Sequence, residues 1–344
     1  MKKIIELLKD KWGEYVIEIL VITIGIFGAF ILNDWNEKRK EKEKFLILTE
    51  QLYNSIYTDI LSFENIQKST SEQIHLIEKY LNFSNKKVYK KNIAELFYLD
   101  TYGKLNFTES NILSKKLEFN PNSISQNKLS KKIFRSYLNF DFSKDFNYNN
   151  EDAFTNFLIS RNLPRTALIF GWFGTNTATY DTSLYNLNHI NILENLKVDE
   201  DFQENLKMLR SAKFLNLNLI ETTTANAKEV LNSLYKFNQK IKLQFEDIQI
   251  IGTALKGNFI EGVTMKNMNN RNSLWKIKLQ LENGEIKFRN GNDWSQNWGG
   301  DNFPSGKANW FGNNIYVKKG YYEITLDLIK KSYKFEKLKL KIKN

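Results

Sequence analysis

A run of seventeen residues, Val16 to Leu32 (VIEILVITIGIFGAFIL), contains a single ionisable side chain, Glu18. At 1.5 Å per residue a helix of this run rises ~25 Å, close to the thickness of a bilayer's hydrocarbon core. Lys2, Lys3, Lys9 and Lys11 precede it and Lys38, Arg39, Lys40 and Lys42 follow it, while Trp12, Tyr15 and Trp35 bracket it as interfacial anchors. A buried core helix would be apolar on one stripe; this run is apolar all round. A cleavable signal peptide requires a small-x-small site after the apolar run, and Asn33-Asp34-Trp35 stands there instead. The expectation is an uncleaved single-pass membrane helix at about 16–32. Glu18 falls near the membrane boundary, where it can snorkel to water. Gly25, Gly28 and Ala29 form a small-residue strip at helical spacing through which two copies can approach as a homodimer. The flanks carry nearly equal positive charge, so charge alone does not orient the chain.

The remaining length needs folded domains. With 344 residues, 42% hydrophobic and 14% aromatic, the chain can build more than one core. It has no cysteine, which excludes disulfides, a thiolate metal site and a cysteine nucleophile. Its net charge of +11 comes from lysines scattered among asparagines, with no nucleic-acid-binding motif to focus it, so no nucleic acid partner is expected.

From Phe45 to Leu243 the period is helical. Leu52, Ile56, Ile60 and Phe63 recur at three to four residues, as do Phe202, Leu206 and Leu209. Asp201 to Ile241 lacks Pro and Gly, predicting one long helix that packs back against the helix continuing from the anchor. Lys86 to Thr182 predicts shorter helices and loops; Trp172 and Phe173, between Gly171 and Gly174, read as a core plug rather than a ligand pocket. His75 and His189 stand apart from any metal-ligand spacing and read as surface or capping residues. No phosphate loop, nucleophile elbow or paired-carboxylate pattern stands out, so no cofactor, no metal and no enzymatic activity are expected.

Near Gln244 to Asp247 the period changes to two. Trp275 to Leu281 alternates apolar and polar residues, and Glu282-Asn283-Gly284 turns it into Glu285 to Arg289. Further strands are expected over Asn314–Val317, Tyr321–Leu328 and Tyr333–Lys341, giving an antiparallel β-sandwich. Between Arg289 and Asn314 the sequence reads as one long loop rich in Trp, Asn and Gly, the expected place for function.

Two resemblances add to this reading. Glu18-Ile19-Leu20, Ile24-Gly25-Ile26, Ala29 and Asn33-Asp34-Trp35-Asn36-Glu37 followed by Lys38-Arg39-Lys40 resemble the N-terminus of an uncharacterised bacterial family of single-span membrane proteins, departing at Ile17 and Asp34. Asn292-Asp293-Trp294, Asn297-Trp298-Gly299-Gly300-Asp301, Pro304-Ser305-Gly306 and Gly320 to Leu328 resemble the domains of the outer-membrane starch-binding proteins SusE and SusF, with Ile250-Ile251-Gly252-Thr253-Ala254 and Leu274-Trp275 on the same plan. That likeness covers about residues 246–340 and implies an immunoglobulin-like sandwich and α-glucan binding. This chain departs from it in carrying one copy, a membrane helix and no lipidation cysteine.

Saccharide rings stack on aromatic planes while polar side chains hold their hydroxyls. On that basis Arg289, Asn292, Trp294, Lys307 and Trp310 are the candidate ligand-binding residues; Trp298 reads as a buried anchor for the loop and Trp275 as core. The expected fold class is multidomain α and β: an N-terminal segment (1–44) with the transmembrane helix, an α-helical domain (45–243) and a sandwich (244–344). The expected function is membrane-anchored, non-catalytic capture of an oligosaccharide, with the large C-terminal part extracytoplasmic (periplasmic), as the ligands of such domains require. The alternative is a structural or assembly protein whose sandwich contacts another envelope protein or the cell wall.

Overall fold

The computed structural model describes residues 2–83, 86–100, 108–118, 126–133, 153–165, 168–170, 178–180 and 182–339. Trp172 and Phe173 lie outside the described residues.

Helix α1, Lys2–Leu81, is continuous for 80 residues. Proline is absent from it, and its glycines at 13, 25 and 28 all precede the packed part. The stretch around 16–32 is long and apolar enough to cross a membrane, and none of its apolar window is covered by the rest of the chain. Trp12 and Trp35 are separated by ~35 Å of helical rise and bracket the apolar stretch. Residues 33–44 form a charged spacer, in which Lys38 pairs with Asp34 one turn earlier (2.7 Å) and Arg39 lies over the Trp35 ring (5.3 Å). From Phe45 onward the helix acquires a buried stripe through Leu52, Ile56, Ile60 and Phe63, on the spacing predicted.

Helix α7, Glu200–Phe237, is capped by Asp199, whose carboxylate accepts from the Phe202 amide (2.9 Å). It runs antiparallel to α1: Phe202 packs near the distal end, Gln67 donates to Glu221 (3.1 Å), Lys228 pairs with Glu64 (2.8 Å), and Phe237 meets Phe45 edge-on. Around the far end of this hairpin α2 (Lys90–Leu99), α5 (Ala153–Ser160) and α6 (Leu187–Leu196) enclose a core with Tyr80, Phe97, Phe154, Leu193 and Leu206. There the Glu95 carboxylate accepts from Tyr80 (2.5 Å) and Lys79 (2.9 Å). Helices α3 (Thr108–Glu118) and α4 (126–133) complete the described helices; Leu113, Leu129 and Ile133 join the core that contains Phe45 to Phe63. Strands β1 (Leu168–Phe170) and β2 (Ala178–Tyr180) pair antiparallel in a stretch where the sequence predicts only helices and loops. Both are short apolar or aromatic triplets that carry too little length for a periodicity signal. His75 is exposed, and His189 closes the N-cap of α6 by accepting from the Asn186 amide through Nδ1 (3.2 Å).

The C-terminal strands form two antiparallel sheets around one interior. The first is ordered β10 (Asn309–Trp310), β8 (Asp293–Gly299), β7 (Gly284–Asn290), β3 (Ile248–Ile251) and β4 (Val263–Thr264), with β11 (Ile315–Val317) also on β7. The second is ordered β5 (Lys266–Asn267), β6 (Leu274–Leu281), β12 (Gly320–Asp327), β13 (Ser332–Lys337) and β9 (Ser305–Lys307). Ile286, Phe288 and Trp298 face Trp275, Ile324, Leu326 and Tyr333 across it. The segment expected as one long loop is instead mostly strand. Gly291, at φ 54°, supplies the left-handed turn that brings β8 back along β7, and β9 and β10 follow. Trp298 and Trp310 are buried by these strands, whereas Trp294 is half-buried.

The sandwich does not stand at the tip of the hairpin. It lies along α1 from about Thr49 to Glu72, and the distal helices lie beyond it. One hydrophobic cluster joins both: Leu52, Ile56, Tyr57 and Leu61 of α1 with Phe245, Trp298, Trp310 and Leu328. The Tyr57 hydroxyl donates to the Leu328 carbonyl (2.6 Å) and its ring meets Phe245 edge-on. Asn54 grips the connecting segment from both sides, donating to Lys242 O (2.9 Å) and accepting from the Gln244 amide (2.9 Å). Arg271 lies 3.8 Å over the Tyr235 ring and donates to the Tyr53 hydroxyl (3.3 Å). Residues 244–339 therefore share their core with the helices that precede them.

Candidate functional site

Alternation in β7 sets the first site. Ile286 and Phe288 point into the sandwich, so Lys287 and Arg289 point to its outer face. Asn297 stands directly opposite Arg289 on β8 and faces the same way. All three are buried, Lys287 and Asn297 at 0% exposed and Arg289 at 3%, and the 252–262 loop and the β7–β8 turn reach Arg289 through Ile260 O and Asn292. The Arg289 guanidinium donates to Asn292 Oδ1 (2.9 Å), reaches Gln249 and the Ile260 carbonyl (3.4 Å each) and lies 5.1 Å over the Trp294 ring. Phe259 flanks the indole at 6.3 Å. Trp294 is half-buried and Asn292 exposed, so this pair forms the surface of a site whose cations lie beneath.

Electrostatically the site is positive. Burial pushes the Lys287 ammonium down to about 8 and lowers Arg289 from its ordinary value, opposed there by Asp247. Arg289 Nε, Asn297 Oδ1 and Asn314 Oδ1 are buried without a hydrogen-bond partner among the described residues. Orphaned donors and acceptors of this kind are uncommon in native interiors, and here they gather on one sheet face beside an accessible indole.

The other two candidates, Lys307 and Trp310, lie elsewhere. Trp310 is 8% exposed: β10 pairs it with Trp298, and both indoles pack on Phe245. It is therefore a core residue that shows one edge, not an open stacking platform. Lys307, on β9, joins Trp310 and Asn309 at a cleft of about 520 Å³ between the sandwich and the α1–α7 hairpin, whose other walls include Leu61, Glu64, Lys68, Glu72 and Lys228. Glu64 ties the two units, pairing with Lys331 (2.6 Å) and Lys228 (2.8 Å). Burial acts to raise its pKa, but the hydrogen bonds and charges of the two lysines outweigh that and hold the carboxyl below its usual value. A depressed carboxylate pKa gives stability that is full above the ordinary value near ~4.3 and lost as pH falls through the folded value. The junction is accordingly expected to loosen on acidification below about pH 4. Glu64→Gln should cost about 2 kcal/mol at neutral pH and remove that acid-dependent part, as read from melting temperature against pH.

Comparison of the chain with known protein families, with curated proteins and with solved structures finds no match in any of the three. The site is therefore read from its geometry.

Among the five candidates, Arg289, Asn292 and Trp294 come together, and Lys307 and Trp310 form a second group. Trp298 (1% exposed) and Trp275 (2%) are buried as read from the sequence. The glycines of Asn-Trp-Gly-Gly-Asp are steric requirements: a Cβ on Gly299 would lie 2.0 Å from Asn313 O, and one on Gly300 would lie 2.5 Å from the Tyr333 hydroxyl. Lys287, Asn297 and Phe259 escape sequence reasoning. The alternation of Ile286-Lys-Phe-Arg289 does carry the signal for Lys287, which shares a face with Arg289; nothing in the aperiodic 252–262 stretch marks Phe259. Among the described residues no cluster of histidine and carboxylate side chains could hold a metal ion.

Proposed function

We propose that this chain is a membrane-anchored, non-catalytic binding protein that captures oligosaccharide on the outer face of its C-terminal sandwich, on the extracytoplasmic (periplasmic) side of the bilayer. The observation that carries the proposal is the buried Arg289 guanidinium laid over Trp294 and bonded to Asn292. The cation fixes the indole from one side, so a half-exposed aromatic plane and an exposed amide are presented already oriented. A pyranose ring needs that pairing: an apolar face to stack on and a polar rim for its hydroxyls. The likeness of the strands around it to the SusE and SusF domains, which implies an immunoglobulin-like sandwich, supports the same reading. Capture is reversible and breaks no bond; Glu64, the carboxylate best placed in a cleft, is held ionised and is a poor proton donor.

One observation favours a second reading, a scaffold that contacts another envelope protein or the cell wall. Ile260, 82% exposed, adjoins Phe259 and the site, giving it an apolar tip that suits a protein partner.

The seven tryptophans give seven indole signals in a nitrogen-correlated NMR spectrum of the full chain in lipid nanodiscs. Adding maltoheptaose, cello-oligosaccharide or a peptidoglycan fragment is expected to shift the Trp294 signal and leave those of Trp275 and Trp298 in place. No shift with any of the three, or shifts confined to the buried indoles, would remove the saccharide reading and leave the scaffold.

A further inference from the structure

The cleft between the hairpin and the sandwich is a second built site, and its charge is unbalanced. Lys68, Lys228 and Lys307 line it, and Lys331 lies at its edge on Glu64. Glu64 and Glu72 are the opposing carboxylates, with Glu221 at the edge on Gln67, so four cations face three anions and one positive charge remains. Glu64 is already taken by Lys228 and Lys331, whereas Lys68 and Lys307 have no ion-pair partner among the described residues. The crowding is felt: burial first, then the like charges of Lys228 and Lys307, lowers the pKa of Lys331 against the pull of Glu64. Leu61 (1% exposed) and one edge of Trp310 (8%) back the cleft, and Asn309 stands at the rim. A positively charged cleft lined by amides and a hydroxyl, with a narrow apolar edge, is matched by a hydroxyl-rich ring that carries an anionic group.

The position narrows the source of the anion. Leu61 lies ~44 Å along α1 from Leu32, the end of the membrane run. The bilayer's surface potential decays over a Debye length of ~8 Å, and its headgroups do not reach so far. We infer that the cleft binds an acidic saccharide, a ring bearing a carboxylate or a phosphate, through Lys68 and Lys307. This goes beyond the Trp294 site and does not depend on it, since the two groups of residues are separate.

The test titrates the full chain in lipid nanodiscs with oligogalacturonate, which carries carboxylates, with glucose 6-phosphate and with neutral maltoheptaose, by calorimetry. Saturable binding of at least one acidic ligand is expected, weakening as salt is raised. The Lys68→Gln, Lys307→Gln double variant, which breaks no ion pair, should bind it about tenfold or more weakly, and Trp294→Ala should bind it as the natural chain does. Binding of only one acidic ligand identifies the anion as carboxylate or phosphate. Failure of both to bind, equal binding of each by the double variant, or cleft binding of maltoheptaose that the double variant weakens equally, overturns the inference.

Discussion

Replacing Tyr57 by alanine is expected to destabilise the C-terminal sandwich by about 4–8 kcal/mol, although the residue belongs to the long N-terminal helix and lies 271 positions before its partner Leu328. Deleting a buried aromatic ring costs about 3–5 kcal/mol through lost transfer energy and the cavity left behind. The Leu328 carbonyl, whose bond from Tyr57 is buried, loses its donor, which costs about 1–3 kcal/mol more. Tyr57→Phe keeps the ring against Phe245 and should show only the second part. The readout is the denaturation midpoint of tryptophan fluorescence for the full chain in detergent micelles. An unchanged midpoint would mean that the sandwich is a separate module and that the shared core contributes nothing to it. The same packing bears on the excised 244–344 fragment. Phe245, Trp298, Trp310 and Leu328 would lose the faces that Tyr57 and Leu61 cover, and the fragment is expected to unfold without cooperativity.

Gly299→Ala is expected to cost about 3 kcal/mol or more. The added Cβ would fall 2.0 Å from Asn313 O and 2.8 Å from Gly312 O, both backbone atoms, in a place where the Gly300 amide donates to Asn313 O (2.8 Å). Neither segment can yield without disturbing that bond. Gly291→Ala provides the comparison: its φ of 54° strains an alanine, but only the Asp247 side chain at 3.9 Å stands near, so about 1 kcal/mol is expected. Equal melting temperatures for the two variants would show that the close approach at Gly299 is not a constraint.

These residues show what the sequence made legible. The membrane run, the antiparallel hairpin of α1 and α7 and the strand period after residue 244 are written in local periodicity, which one helix or strand suffices to display. In the Asn-Trp-Gly-Gly-Asp motif the structural part of Trp298 was legible, but that of the two glycines was not. Its glycines answer to Asn313 and Tyr333, partners more than ten residues away that no spacing rule reveals. Arg289, Asn292 and Trp294 were legible as one site because a single turn joins them. Lys307 and Trp310 shared the composition of that segment but not its place, since β9 belongs to the other sheet and β10 buries its tryptophan on Phe245. The flanking position of the sandwich was illegible for a related reason. It depends on Tyr57, Asn54 and Glu64, helical residues whose partners lie in the last third of the chain.

The measurement that bears most directly on function is a calorimetric titration of the full chain in lipid nanodiscs with linear α-glucan, β-glucan and peptidoglycan fragments. Saturable binding of at least one, weakened about tenfold or more by Trp294→Ala at unchanged melting temperature, is the predicted result, a loss of about 1.4 kcal/mol. Absence of binding to all three, or binding that Trp294→Ala leaves intact, would contradict saccharide capture at Arg289, Asn292 and Trp294.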